Sequence, residues 1–153
     1  MKPTPPDWPR ISPALYYEDA AKAIDFLCKA FGFEVRIRVE GEGGRIEHSE
    51  LTLGDGLIMA ADIRVSGAKY PHMRSPSQIG GGNTQNLFVY VDDVEAHCRR
   101  ARAAGAKILR EPTTVDYGEE HWSDRNYECE DIGGHHWWFA ERLRNPKPTK
   151  QKP

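Results

Sequence analysis

Apolar and polar positions along the first sixty residues change period three times. Ala14 to Tyr17 is a short apolar run that predicts a strand, and after it Ala20, Ile24, Leu27 and Phe31 recur at the spacing of one helix face. Asp19 stands where an N-cap belongs and Gly32 where a helix ends on glycine. From Phe33 the period shortens to two: Phe33, Val35, Ile37 and Val39 alternate with Glu34, Arg36, Arg38 and Glu40, the pattern of a strand with one wet face. Gly41 to Gly44 turns the chain, Ile46 to Leu53 alternates less cleanly, and Gly54-Asp55-Gly56 leads into an apolar strand over Leu57 to Ala61. Strand, helix and three strands make a βαβββ unit.

The same order recurs downstream. Leu87 to Val91 predicts a strand, Val94 to Ala104 a helix with Cys98 and Ala101 on its apolar side, and Lys107 to Glu111 a second strand. Pro112 to Glu120 reads as a long loop, followed by strands over Trp122 to Glu130 and His135 to Ala140. Asp92 stands as far before Gly105 as Asp19 stands before Gly32. A duplicated unit that cannot bury its apolar face alone pairs with its copy, and two curved sheets brought together leave a cleft. The expected fold class is therefore α+β, a single domain over residues 1–153. It consists of unit one at about 11–63, a linker at about 64–84 and unit two at about 85–142. Gly67, Pro71, Pro76 and Gly80-Gly81-Gly82 argue against any long element in the linker. The Pro-rich Lys2 to Pro9 and the polar Asn145 to Pro153 are expected to be flexible tails.

Composition removes several classes of function. A net charge of −2 gives no basic field for nucleic acid. No apolar stretch is long enough for a membrane span, and none follows Met1 as a secretion signal would, so a cytoplasmic location is expected. Cys28, Cys98 and Cys129 are odd in number, widely spaced and without a Cys-x-x-Cys pair, the usage of free core-filling thiols in a reducing compartment. The Gly-rich turns lack the Lys-Ser or Lys-Thr of a phosphate loop, and no Gly-x-Ser-x-Gly supports a nucleophilic serine.

The phrase Ile24-Asp25-Phe26-Leu27 before Phe31-Gly32-Phe33 resembles the first helix and its exit in the vicinal oxygen chelate superfamily, which includes glyoxalase I, extradiol dioxygenases, fosfomycin-modifying enzymes and bleomycin-resistance proteins. Val91-Asp92-Asp93-Val94 with Ala103-Ala104-Gly105-Ala106 is similar to its counterpart in the second unit, and Asp131-Ile132-Gly133-Gly134-His135 to the turn before the last strand. Asn83-Thr84-Gln85-Asn86 resembles the PhnB-like branch. The resemblance covers about Ile11 to Arg142 and implies the glyoxalase/bleomycin-resistance fold, with curved mixed sheets enclosing a cleft. It also implies a homodimer, which would cover exposed sheet edges. Metal-using members hold a divalent ion with one ligand on the first strand of each unit and one carboxylate on each closing strand. Those positions fall here on Ser12, Asn86, Met59 or Ala60, and Trp138. Two weak neutral donors and no carboxylate are a poor set for a divalent cation, so no metal cofactor is expected.

With Trp138 facing the cleft, period two puts His136 on the same side and leaves Trp137 and Phe139 to the core. Asn86, Phe88 and Tyr90 then face inward from unit two and Tyr16 from unit one, an aromatic wall suited to a flat organic ligand held by stacking. The loop from Asp116 is rich in polar and aromatic groups and offers Trp122 and Arg125 to the cleft mouth. His48 and Glu50, two apart on a predicted strand, share a face as ligand contacts, or, with His121 or His136 from the other unit, as a displaced metal site. The expected activity is small-molecule binding without a metal. A divalent-metal lyase or dioxygenase built on His48 and Glu50 is the alternative.

Overall fold

The computed structural model describes residues 1–148. Unit one runs β1 (Ala14–Tyr17), α1 (Ala20–Phe31), β2 (Glu34–Glu40), β3 (Ile46–Leu53) and β4 (Gly56–Asp62); helix α2 (Ile63–Lys69) follows. Unit two runs β5 (Leu87–Tyr90), α3 (Val94–Ala103), β6 (Lys107–Asp116), β7 (Ser123–Glu130) and β8 (His136–Arg144). Each unit folds into a four-stranded mixed sheet, in the orders β1-β4-β3-β2 and β5-β8-β7-β6, with the first strand parallel to the last. This is the α+β arrangement of two βαβββ units, with open curved sheets. No helix among the described residues is long and apolar enough to cross a membrane.

Local signals account for the helix ends. The Asp19 carboxylate accepts from the Lys22 N–H at the start of α1, and Gly32 closes that helix at φ 86°, a left-handed conformation costly for a residue with a Cβ. Asp93 repeats the cap on α3 by accepting from the Ala96 N–H.

The two sheets turn one face each toward a common layer of α1 and α3. Leu15, Tyr17, Leu51, Ile58 and Ala60 from sheet one and Tyr127, Cys129, Trp137 and Phe139 from sheet two join the helices in one buried cluster. The Phe31 ring at the end of α1 reaches across to Trp137 and Phe139 of β8, with centroids 5.1 and 4.7 Å apart, and Phe33 packs on Trp137 at 5.7 Å. Arg100 of α3 donates to the carbonyls of Lys29 and Cys28 on α1. With the inner faces sharing this core, the opposite face of each sheet points outward.

The segment between the units holds two short elements, α2, a helix anchored by buried Ile63 and Ser66, and a 3₁₀ turn over Pro76–Ile79. Two expectations are corrected. The segment from Pro112 read as a loop instead continues β6 to Asp116, because the pairing shifts between Arg110 and Thr113 and the ladder resumes beyond the proline. An edge strand tolerates such a proline. The N-terminal stretch read as a free tail is tied down at Trp8, whose indole lies 5.0 Å under the Arg36 guanidinium. The C-terminal tail expected from Asn145 onward is described only to residue 148, and its remainder lies outside the described residues.

Candidate functional site

The side chains picked out by period two do share faces, but the faces are two and they look outward. On sheet one the register aligns Ala14 with Met59 and Met59 with Glu50, so Ala14, Tyr16, His48, Glu50 and Met59 occupy one surface. Helix α2 and the following residues wall it. Tyr16, His48, Met59, Val65, Tyr70 and Met73 contribute to a cavity of about 330 Å³. Glu50 is buried and held from two sides: Arg36 Nε donates at 2.8 Å, and His48 Nε2 lies 3.2 Å from its other oxygen. Burial alone would raise its pKa, but the hydrogen bonds from His48 and Arg36 outweigh that and hold it below the ordinary carboxylate value. Arg36 also donates to the Asp7 carbonyl at 2.6 Å, so the N-terminal segment closes over this end of the sheet.

On sheet two the outward face carries Phe88 and Tyr90 from β5, His136, Trp138 and Arg142 from β8, Asp124, Asn126, Glu128 and Glu130 from β7, and Arg110 from β6. Phe88 and Tyr90 are each 50% exposed and meet edge to face at 5.3 Å. Buried Asp124 accepts from Arg142 Nε at 2.6 Å and from the Tyr90 hydroxyl at 3.2 Å. The Arg142 guanidinium lies over both the Tyr90 and the Trp122 rings, which brings Trp122 to the edge of this face. Arg110 covers the Trp138 ring at 4.9 Å and donates to Asn126 Oδ1.

Among the residues expected at the site, Phe88, Tyr90, Trp122, His136 and Trp138 therefore gather on sheet two, and Tyr16, His48 and Glu50 on sheet one. Asn86 is exposed just before β5, beside a second cavity of about 410 Å³ that also takes in Ile11, Pro13, Phe88 and Tyr90. Arg125 goes elsewhere: its strand partner is Glu141 on the helix side, and its guanidinium pairs with Glu95 of α3 at 2.5 Å. Missed in the sequence were Trp8, Arg36, Arg110, Asn126 and Arg142. The arginines give no signal because a basic residue on a half-wet strand reads as solvated.

The donor set does not suit the divalent ion of metal-using relatives. Met59 and Trp138 offer no carboxylate, Asn86 is a neutral amide on the surface, and the Glu50 charge is already taken by Arg36. His136 sits 3.0 Å from Glu130 on the other sheet and His121 in the loop before β7, so neither completes a set with His48 and Glu50. Among the described residues no three His, Cys, Asp or Glu side chains converge. The three cysteines are free and burial raises each thiol pKa, that of Cys129 to about 12, so none is a ready thiolate.

Comparison with known proteins places this geometry. The sequence model described as the glyoxalase/bleomycin resistance protein/dioxygenase superfamily matches residues 11–139. An uncharacterized protein of Mycobacterium bovis is 33% identical over 138 residues, covering 89% of this chain and 85% of that protein. Among solved structures, TioX from Micromonospora sp. ML1 is similar at 29% identity and a TM-score of 0.64, over 88% of this chain and 100% of that one. TnmS3, an antibiotic binding protein from Streptomyces sp. CB03234, shares the fold at 20% identity and a TM-score of 0.63, over 88% of this chain and 97% of that one.

Proposed function

The chain belongs to the glyoxalase/bleomycin resistance protein/dioxygenase superfamily, and on that premise we propose that it binds and sequesters a small aromatic or amphipathic molecule, without a metal and without transforming it. The observation that carries this reading is the outward face of sheet two. Half-exposed Phe88 and Tyr90 stand beside Trp138 in a surface too aromatic to be left to water for no purpose. An antibiotic binding protein of the same fold supports it. Free cysteines are in keeping with action in the cytoplasm.

Calorimetric titration with a panel of aromatic antibiotics is the test. A saturable heat that disappears in Trp138→Ala is expected. No heat from any member at high concentration overturns the reading. Elemental analysis of the purified protein is expected to find no stoichiometric transition metal. A bound ion lost in Glu50→Ala would replace binding with metal chemistry at His48 and Glu50.

The chain is further proposed to act as a homodimer. Ile37, Val39, Phe88 and Tyr90 leave apolar surface on both outward faces, and a second copy laid against one of them would turn an open face into a closed pocket. Light scattering at working concentration should give twice the chain mass of 17.3 kDa, and a monomer there removes this part of the proposal.

A further inference from the structure

Sheet two contains a hydrogen-bonding pair that the rest of the chain does not complete. Asn126 is only 1% exposed, yet it stands on the outward face, opposite Ala140 of β8. Its Oδ1 accepts from Arg110, which fixes the orientation of the amide, and its Nδ2 finds no partner among the described residues. A buried amide N–H left without an acceptor is destabilising, and such a cost persists where a missing acceptor is supplied from outside.

Arg110 is incomplete in the same way. Arg36, Arg38, Arg125, Arg142 and Arg144, the other strand arginines, each pair with a carboxylate, whereas Arg110 forms no ion pair among the described residues. Among the described residues its one side-chain hydrogen bond goes to Asn126, and the rest of its donor fork is unused there. The carboxylates nearby are differently placed. Asp124 is taken by Arg142 and Tyr90, and Glu130 by His136. Glu128 faces both Arg110 and Trp138 across the strands without pairing with either. The aromatic wall lies alongside, since Phe88 is the direct cross-strand neighbour of Trp138.

We propose that Arg110 and Asn126 form an oxygen-recognition point for a planar aromatic ligand bearing a carboxylate. The ring lies against Trp138 and Phe88, and the carboxylate oxygens accept from the unused Arg110 N–H groups and from Asn126 Nδ2. A planar guanidinium suits a carboxylate because two parallel hydrogen bonds form at once. This assignment rests on the small-molecule-binding reading and narrows it to one class of ligand.

Naphthoate, its primary amide and the matched naphthylmethylammonium, titrated calorimetrically at low salt, test it. Naphthoate should bind tighter than the ammonium probe by about tenfold or more, the effect of one hydrogen bond to a charged group. Arg110→Gln should erase that preference, Asn126→Asp should weaken naphthoate by repulsion, and Glu128→Gln should leave naphthoate bound as tightly or more so. Urea midpoints show that each variant is folded, and if Arg110→Gln is not, Asn126→Asp and Glu128→Gln decide. Ammonium binding that equals or exceeds naphthoate binding and falls in Glu128→Gln overturns this assignment while leaving small-molecule binding intact. Failure of all three probes and of the antibiotic panel sinks both.

Discussion

Replacing Asp131 with alanine is expected to cost about 3–5 kcal/mol of unfolding free energy, since it leaves several buried neutral donors without their acceptor at about 1–3 kcal/mol each. The Asp131 carboxylate is buried in the turn between β7 and β8 and accepts four hydrogen bonds. Oδ1 takes the N–H groups of Gly133 at 2.9 Å and His135 at 3.0 Å, while Oδ2 takes the Tyr17 hydroxyl at 2.6 Å and Trp137 Nε1 at 3.0 Å. Two of these donors shape the turn, and the Tyr17 hydroxyl comes from the other unit. The tyrosine is held neutral: burial, and then the adjacent Asp131 charge, push its pKa well above the ordinary value. Close approach is allowed by Gly133, where a Cβ would lie 2.2 Å from the Tyr17 ring. Urea unfolding of Asp131→Ala, Tyr17→Phe and the double variant checks the account. The double variant should be less destabilised than the sum of the singles, because Tyr17 and Asp131 share a bond. Strict additivity would mean that this carboxylate does not join the units.

Much of this was legible in the chain, and the limits have physical reasons. Asp19 and Gly32 mark α1 because capping and left-handed termination are local events, decided within a few residues. The alternation His136, Trp138, Ala140 against Trp137, Phe139 was readable because a strand repeats every two residues whatever it packs against. That same alternation states which residues share a face but not where the neighbouring sheet lies. Period two puts Phe88 and Tyr90 on one face of sheet two with His136 and Trp138, and Tyr16 on one face of sheet one with His48 and Glu50, yet in one chain the helices occupy the space between the sheets and the two sets point apart. Arg125 went astray for a simpler reason. It was counted with the loop from Asp116 although it also falls in the strand expected from Trp122, and a residue inside β7 takes its side from the register. Trp8 with Arg36 and Arg110 with Trp138 were invisible because guanidinium–aromatic stacking joins positions that no sequence period links. Helix α2 was missed since its glycine and β-branched residues form a poor helix alone, and burial of Ile63 and Ser66 supplies what propensity lacks.

Acidification is expected to loosen the joint between the units through His97. This side chain of α3 lies between the Tyr127 hydroxyl, 2.7 Å from Nδ1, and the Phe31 carbonyl, 3.0 Å from Nε2, with its ring 4.2 Å from that of Phe139. Nε2–H donates to the carbonyl and Nδ1 accepts from Tyr127, an arrangement that uses the neutral imidazole fully. Protonation removes the acceptor and places a charge among aromatic rings. Burial accordingly lowers the His97 pKa below its ordinary 6.5, against the smaller opposing pull of the Phe31 carbonyl. The sign of the effect follows. Above pH 6.5 both folded and unfolded chains carry neutral His97, and stability is independent of this group. Below it the unfolded chain takes up the proton first, so stability falls with pH by up to about 1.4 kcal/mol per unit until the folded His97 also titrates. Urea midpoints should decline between pH 6.5 and 5, above the range in which carboxylates protonate, and His97→Gln should flatten that decline. At neutral pH the same variant should cost about 1–3 kcal/mol, because Tyr127 and the Phe31 carbonyl lose their partner. An unchanged slope in His97→Gln would move the acid-sensitive group away from α3.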